Sequence, residues 1–192
     1  MTNYLRFGKT TLLAVMGNQI NVELVAHNFR WNLLAKEEGS LLANVLGDQL
    51  ITVHHIGSTA IPTIAAKPIL DLIPVVRSLE EFDRYRTRME GIGYQWRGEY
   101  GLVGRRYCTK ADPATGRKLI HLHFYSIGSP EIDRHVAFRD YLLDRPDVAQ
   151  AYLREKTRCQ QLHANDSQSY SQCKSEWIKR VEAEALTHFD LK

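Results

Sequence analysis

The sequence predicts an α/β or α+β protein with a helical C-terminal annex. Three observations carry that prediction. Strand-like segments fill the middle of the chain, from about residue 49 to 125. One helical pattern interrupts them, placed where a crossover between two strands would run. From about residue 130 onward the pattern is helical only. At 192 residues, 44% hydrophobic and 24% charged, the chain suits one globular unit that needs no disulfide or structural metal for its core.

The elements follow in order. "ELVAHNFRWNLLAKEEGSLLANVLG" (Glu23 to Gly47) gains helical spacing in its later part, and Gly47 is a stop signal. "QLITVHHI" reads as a strand with β-branched Ile51 and Val53. A Gly57-Ser58-Thr59 turn comes next, and "KPILDLIPVV" (Lys67 to Val76) reads as a buried central strand. Ser78 opens a capping-box pattern with Glu81, and Gly91 ends that helix. "YQWRG" and "GRRYCTK" are strands. "ADPATGRK" has hairpin-loop chemistry, and "LIHLHFY" (Leu119 to Tyr125) is the next strand. "SPEIDRHVAFRDYLLDRP" starts with a serine cap and a first-turn proline, and Asp144-Arg145-Pro146 breaks it. "DVAQAYLREKTRCQQLHA" and "SQSYSQCKSEWIKRVEAEALTHF" are two further helices.

Charge and composition exclude some functions. A net charge of +3 is too mild for a dedicated nucleic-acid binder and compatible with a small anionic ligand. No apolar run reaches membrane-spanning length. "LLAVMG" (Leu12 to Gly17) resembles a signal peptide only weakly, so residues 1–21 are expected to be an N-terminal extension of a cytoplasmic protein, with Met16 an alternative start. The three cysteines, Cys108, Cys159 and Cys173, lack metal-ligand spacing and are expected to be reduced thiols.

Two constellations could carry chemistry. Gly57, Ser58 and Thr59 follow a strand, where backbone N–H groups and two hydroxyls could converge on an anion, with Lys67 adding a point charge; the same tripeptide also serves as a plain turn. Asp71 lies among Ile69, Leu70, Leu72 and Ile73. An ionised carboxylate there costs several kcal/mol, of that order, unless paired or metal-bound. An ion pair with Arg105 or Arg106 would satisfy it, and so would a metal. In "LIHLHFY", alternation puts His121, His123 and Tyr125 on one face. The two histidines could chelate a metal with Asp71, donate to phosphate, or line a solvated groove.

These residues resemble a known family. "HHIGSTAIPTIAAKPILDL" (His54 to Leu72) is similar to the hallmark of the GrpB-like family, within the nucleotidyltransferase-fold superfamily. "AHNFRW", "GIGY", "HLHFY", "AFRDYLLDRPDVAQAYLREK" and "YSQCKSEWI" resemble further family motifs in the same order, over about residues 22 to 185. The resemblance implies a polymerase-β-like mixed sheet flanked by helices, in a domain over about residues 22–188. In the superfamily the Gly-Ser turn holds a nucleotide triphosphate. A D-x-D pair and a third carboxylate bind two divalent metals for attack on the α-phosphate.

This chain departs from that pattern. Asp71 holds the first acid position, Ile73 the second, and His121 and His123 stand in the region of the third. Glu99 or Asp112 is left as another oxygen source. The resemblance implies catalytic or metal-binding roles for Asp71, His121 and His123, with magnesium or manganese expected and a transition metal the alternative. It implies phosphate contacts from Gly57, Ser58, Thr59, Lys67, Arg139, Lys156 and Lys174. For Arg139 a pair with Asp140 or Asp144 is the other reading, and solvation is for the lysines. Tyr141, Tyr152, Tyr170 and Trp177 are read as packing residues. The expected partner is a small-molecule nucleotide. The expected activity is metal-dependent nucleotidyl or phosphoryl transfer to a small acceptor; the alternative is an inactive nucleotide- or coenzyme-binding module, since the family domain also occurs fused to dephospho-coenzyme A kinase.

Overall fold

The computed structural model describes residues 22–191. The N-terminal extension, its apolar Leu12 to Gly17 run and Met16 lie outside the described residues. Helix α1 (Arg30–Leu46) leads into β1 (Leu50–Ile56). The Gly57-Ser58-Thr59 turn opens a short 3-10 segment before β2 (Leu70–Val76). Then come α2 (Leu79–Phe82), α3 (Arg86–Gly91), β3 (Tyr94–Trp96), β4 (Arg106–Ala111) and β5 (Lys118–Ser126). Four helices finish the chain: α4 (Pro130–Asp144), α5 (Pro146–Leu162), α6 (Ser167–Cys173) and α7 (Ser175–His188).

The strands form one five-stranded sheet in the order β1-β2-β5-β4-β3. β2 and β5 run parallel; the other neighbours are antiparallel. The parallel pair needs a crossover, and the segment from α2 to β4 supplies it. Period-2 alternation divides β2 between two cores. Leu70, Leu72 and Val76 pack with Trp31 and Leu42 of α1, Phe82 of α2 and Met89 of α3. Ile73 and Val75 face the other way, onto Ile56 and Tyr125, with Ile132 of α4 against them. Ile61 and Ile64, after the turn, anchor α4, α5 and α7 through Phe138, Tyr152 and Val181.

The first helix fills the later part of its segment as expected, and two other expected helices are interrupted. The first helix starts at Arg30, because Val25 instead pairs with Ala66 through two backbone hydrogen bonds of 2.9 Å. The crossover helix is split: Ser78 caps α2 through Glu81 N, but a 3-10 segment at Asp83–Tyr85 separates α2 from α3. The last expected helix breaks at Lys174 into α6 and α7.

One cysteine expectation is overturned. Cys159 and Cys173 form a disulfide across α5 and α6, and only Cys108 is free, buried in the sheet. The helices fold back so that the two Cα atoms lie 5.8 Å apart, within bridging distance. A sequence separation of 14 carried no sign of that approach.

Candidate functional site

The site lies where the start of β2 meets the Gly57-Ser58-Thr59 turn. Asp71 pairs across the sheet with Ile56 of β1 on one side and His121 of β5 on the other. Its carboxylate therefore projects beside His121, and Oδ1 accepts from His121 Nδ1 at 3.1 Å. His123 follows on the same face, with Nε2 3.7 Å from the same oxygen. Burial alone would raise the Asp71 pKa; the two imidazoles outweigh it and hold the carboxyl well below the usual carboxylate range. Burial also pushes the His123 pKa down, against the pull of Asp71.

Arg105 decides the His123 tautomer. Its guanidinium can only donate, and Nη1 stands 3.4 Å from His123 Nδ1. Nδ1 is then the acceptor and the ring proton sits on Nε2, facing Asp71. Arg106 turns away to Asp83, at 2.6 Å. The partners of Asp71 are thus imidazoles, and neither arginine expected as its counter-ion reaches it.

Gly57 allows the turn to approach this carboxylate. Its φ is +69°, and a β-carbon there would lie 2.9 Å from Asp71 Oδ2. The glycine serves close backbone approach to the acid. Thr59 lines the pocket, yet its hydroxyl is engaged elsewhere: His55 Nε2 lies 2.9 Å from Thr59 Oγ1, and His55 Nδ1 lies 3.2 Å from Asn32 Oδ1. Asn32 Oδ1 accepts, so Nδ1 carries the proton and Thr59 donates to Nε2. Burial lowers the His55 pKa to about 4, which keeps that ring neutral. This relay stiffens the turn and leaves Ser58 as its pocket hydroxyl.

A pocket of about 210 Å³ opens over Ser58, Asp71 and His121. Lys67, Lys156 and Lys174 bring three cations to it from separate parts of the chain. Their hydrogen-bond partners are neutral. Lys67 Nζ donates to Ser167 Oγ at 2.7 Å, Lys156 to the Ala65 carbonyl, and Lys174 to the Tyr152 hydroxyl at 3.5 Å. Among the described residues no carboxylate pairs with them. Lys156 is only 1% exposed. Burial, then the neighbouring Lys174, lowers its pKa to about 7, and the same causes lower that of Lys67. Asp71, on the same pocket, offsets part of the Lys67 charge, but three amines around one cavity with a single carboxylate, itself bonded to imidazole, leave an excess of positive charge that suits an anion.

Some expected residues do not join them. Arg139 donates to the His55 carbonyl at 3.0 Å and to Asp140 at 2.7 Å, so it braces the edge of β1 and stays off the pocket. Glu99 accepts from Gly104 N, and Asp112 accepts from Ala114 N and Thr115 N, so neither supplies a second metal-binding oxygen. Of the four aromatics read as packing residues, Tyr141 and Tyr152 are buried and Trp177 stacks on Tyr152 at 4.9 Å; buried Tyr170 also lines the pocket. Sequence reasoning missed Arg105 as a partner of His123, the Asn32–His55–Thr59 relay, and Tyr107, whose ring packs 5.6 Å from His121 and 5.1 Å from His123. For Tyr107 a signal existed: it lies two residues from Arg105, on the strand paired with "HLHFY".

The donor set tests the metals that the fold implies. A two-metal carboxylate centre does not fit: Ile73 is 0% exposed and packed against Ile56, where the second acid would stand. Magnesium prefers oxygen ligands, and of the candidate ligands Asp71, His121 and His123 only Asp71 offers one. Asp71, His121 and His123 do place one ligand atom each within 4.8 Å of one another, a two-nitrogen, one-oxygen set suited to a softer divalent ion.

Residues 21–184 match a family described as "GrpB protein". The chain is 40% identical over 164 residues to the protein YqkA of Bacillus subtilis (strain 168), and the match covers 85% of this chain but 47% of that protein. It is 27% identical over 180 residues to a dephospho-CoA kinase of Mycolicibacterium paratuberculosis, covering 44% of that enzyme. The crystal structure of the conserved protein GrpB from Enterococcus faecalis superposes with a TM-score of 0.81 at 36% identity, covering 87% of this chain and 99% of that one. The Cid1 poly(U) polymerase, in a structure described as bound to magnesium and 3'-dATP, shares the fold, with a TM-score of 0.52 at 10% identity over 78% of this chain and 49% of that one.

Proposed function

The chain belongs to the GrpB family, and we propose that it binds a nucleotide, or a nucleotide-bearing coenzyme, through the ligand's phosphates. One observation carries this reading: Lys67, Lys156 and Lys174 line one pocket with Ser58 and have only neutral partners among the described residues. A phosphate group would offset their mutual repulsion and accept their donors. Calorimetry with pyrophosphate and with ATP tests it. Binding that weakens at least tenfold in a Lys67→Gln, Lys174→Gln variant is expected. No detectable binding of either probe to the unaltered protein would end the proposal.

A second reading, transfer of a nucleotidyl or phosphoryl group to a small acceptor, draws support from the ligand atoms of Asp71, His121 and His123 lying within 4.8 Å of one another. These three residues would hold a single divalent ion, which would screen phosphate charge. The Arg105 contact opposes that use of His123, because it commits Nδ1 as an acceptor and leaves the proton on Nε2. Product formation from ATP in the presence of manganese, abolished in Asp71→Asn, is the outcome this reading requires. Phosphate binding without any product leaves the binding module.

A further inference from the structure

The β3–β4 connection carries a residue that neither the fold nor the phosphate pocket explains. Tyr100 has φ +47°, a left-handed conformation that a bulky side chain adopts at a cost. Gly98, Gly101 and Gly104 around it also have positive φ. A glycine at position 100 would remove the strain. The tyrosine ring stacks on Tyr107 with centroids 5.2 Å apart and planes 25° apart. Tyr100 is nonetheless 65% exposed, so its outer side is open to solvent.

The loop is tied to the Asp71 centre by a buried charge. Arg105 is 7% exposed, and its guanidinium donates to the carbonyls of Glu99 and Tyr100, at 3.1 and 2.9 Å from Nη2. The same guanidinium reaches His123 Nδ1 and lies over the Tyr107 ring at 4.9 Å. One side chain thus fixes the backbone of Tyr100, the ring beneath it and an imidazole beside Asp71. From Tyr100 the path to the pocket runs over Tyr107, then 5.6 Å to His121, which lines the pocket.

We propose that Tyr100 is the stacking platform for the nucleobase of the ligand whose phosphates lie among Lys67, Lys156 and Lys174. It rests on the phosphate-binding reading and adds the ligand's other end. Stacking on an exposed aromatic tolerates any base, since every base has a π-face, so the platform sets ligand class and leaves base identity open.

Calorimetry with ATP and pyrophosphate on the unaltered chain, Tyr100→Gly and Tyr100→Phe separates the two ends. Tyr100→Gly removes the ring and relieves the backbone, so it folds. ATP should bind the unaltered protein more tightly than pyrophosphate does. Tyr100→Gly should lose about tenfold in ATP affinity, the scale of one base–aromatic stack, with pyrophosphate unchanged. Tyr100→Phe should behave as the unaltered protein. Equal ATP affinity in Tyr100→Gly and the unaltered protein, an equal loss for both probes, or an unaltered protein that binds ATP no tighter than pyrophosphate would overturn the platform and spare the phosphate site. Absence of binding by both ATP and pyrophosphate would overturn both readings.

Discussion

A β-carbon on Gly57 would lie 2.9 Å from Oδ2 of Asp71 and 3.2 Å from its Cβ, at a backbone φ of +69°. The turn and the acid are built against each other. Gly57→Ala should therefore destabilise the protein by about 2–4 kcal/mol, combining the left-handed backbone cost with a steric clash. Urea denaturation measures it. A midpoint unchanged from the parent would show that the turn does not approach Asp71 this closely.

Stability should fall as the solution is acidified below pH 6.5. Burial lowers the pKa of His55 and of His135 to about 4, from an ordinary 6.5. Between those values the unfolded chain takes up protons that the folded chain refuses, so each histidine shifts the balance toward unfolding. The lowered Asp71 carboxyl adds a further loss below its ordinary 3.8, where the unfolded chain is protonated first. Denaturation midpoints from pH 8 to pH 3 should trace this decline. His135→Gln should flatten it between 6.5 and 4.

Phosphate binding should weaken as pH rises through about 7. Lys156, with a pKa of about 7, is charged below that pH and increasingly neutral above it. A bound anion favours the charged amine, so binding at pH 8 requires proton uptake and at pH 6 requires little. Calorimetry of pyrophosphate in buffers of different ionisation enthalpy should show uptake approaching one proton at pH 8, of order. Lys156→Met should bind more weakly and lose the uptake. A parent protein with no buffer dependence would refute the role of Lys156.

Reducing the Cys159–Cys173 bridge should cost about 2–4 kcal/mol of stability. It should also loosen the pocket. Cys159 lies one helical turn beyond Lys156, and Cys173 directly precedes Lys174, so the bridge helps hold two repelling ammoniums together. Melting and pyrophosphate titration with and without dithiothreitol measure both effects, and the Cys159→Ser, Cys173→Ser variant should match the reduced protein in each.

Much of the fold was legible because its signals are local. Alternation in "LIHLHFY" does place His121 and His123 on one face, and the apolar run around Asp71 is an interior strand, paired on both sides. The GrpB family match bears out the resemblance, and the mixed sheet flanked by helices is present here and in the superposed GrpB structure. The less legible parts involve competition for partners. Arg139 sits in a family motif, yet a β1 carbonyl and Asp140 take its guanidinium. Thr59 sits in the anion turn, yet His55 takes its hydroxyl. The crossover helix carries a good cap, yet a 3-10 segment at Asp83–Tyr85 divides it with no glycine or proline to mark the place.

By itself the sequence determined most of the elements, their order, and the presence of a lone acid on an apolar strand beside a Gly-Ser turn, because periodicity and turn chemistry act over a few residues. Tertiary structure decided the rest. It brought Lys156 and Lys174 across to Ser58, joined Cys159 to Cys173, gave Asp71 two imidazoles where an arginine was an equal candidate, and set Tyr100 over Tyr107. The reason is that a polar side chain bonds whatever packing places within about 3 Å, and helix packing, which sets that distance for residues far apart in sequence, leaves no short-range pattern in the chain.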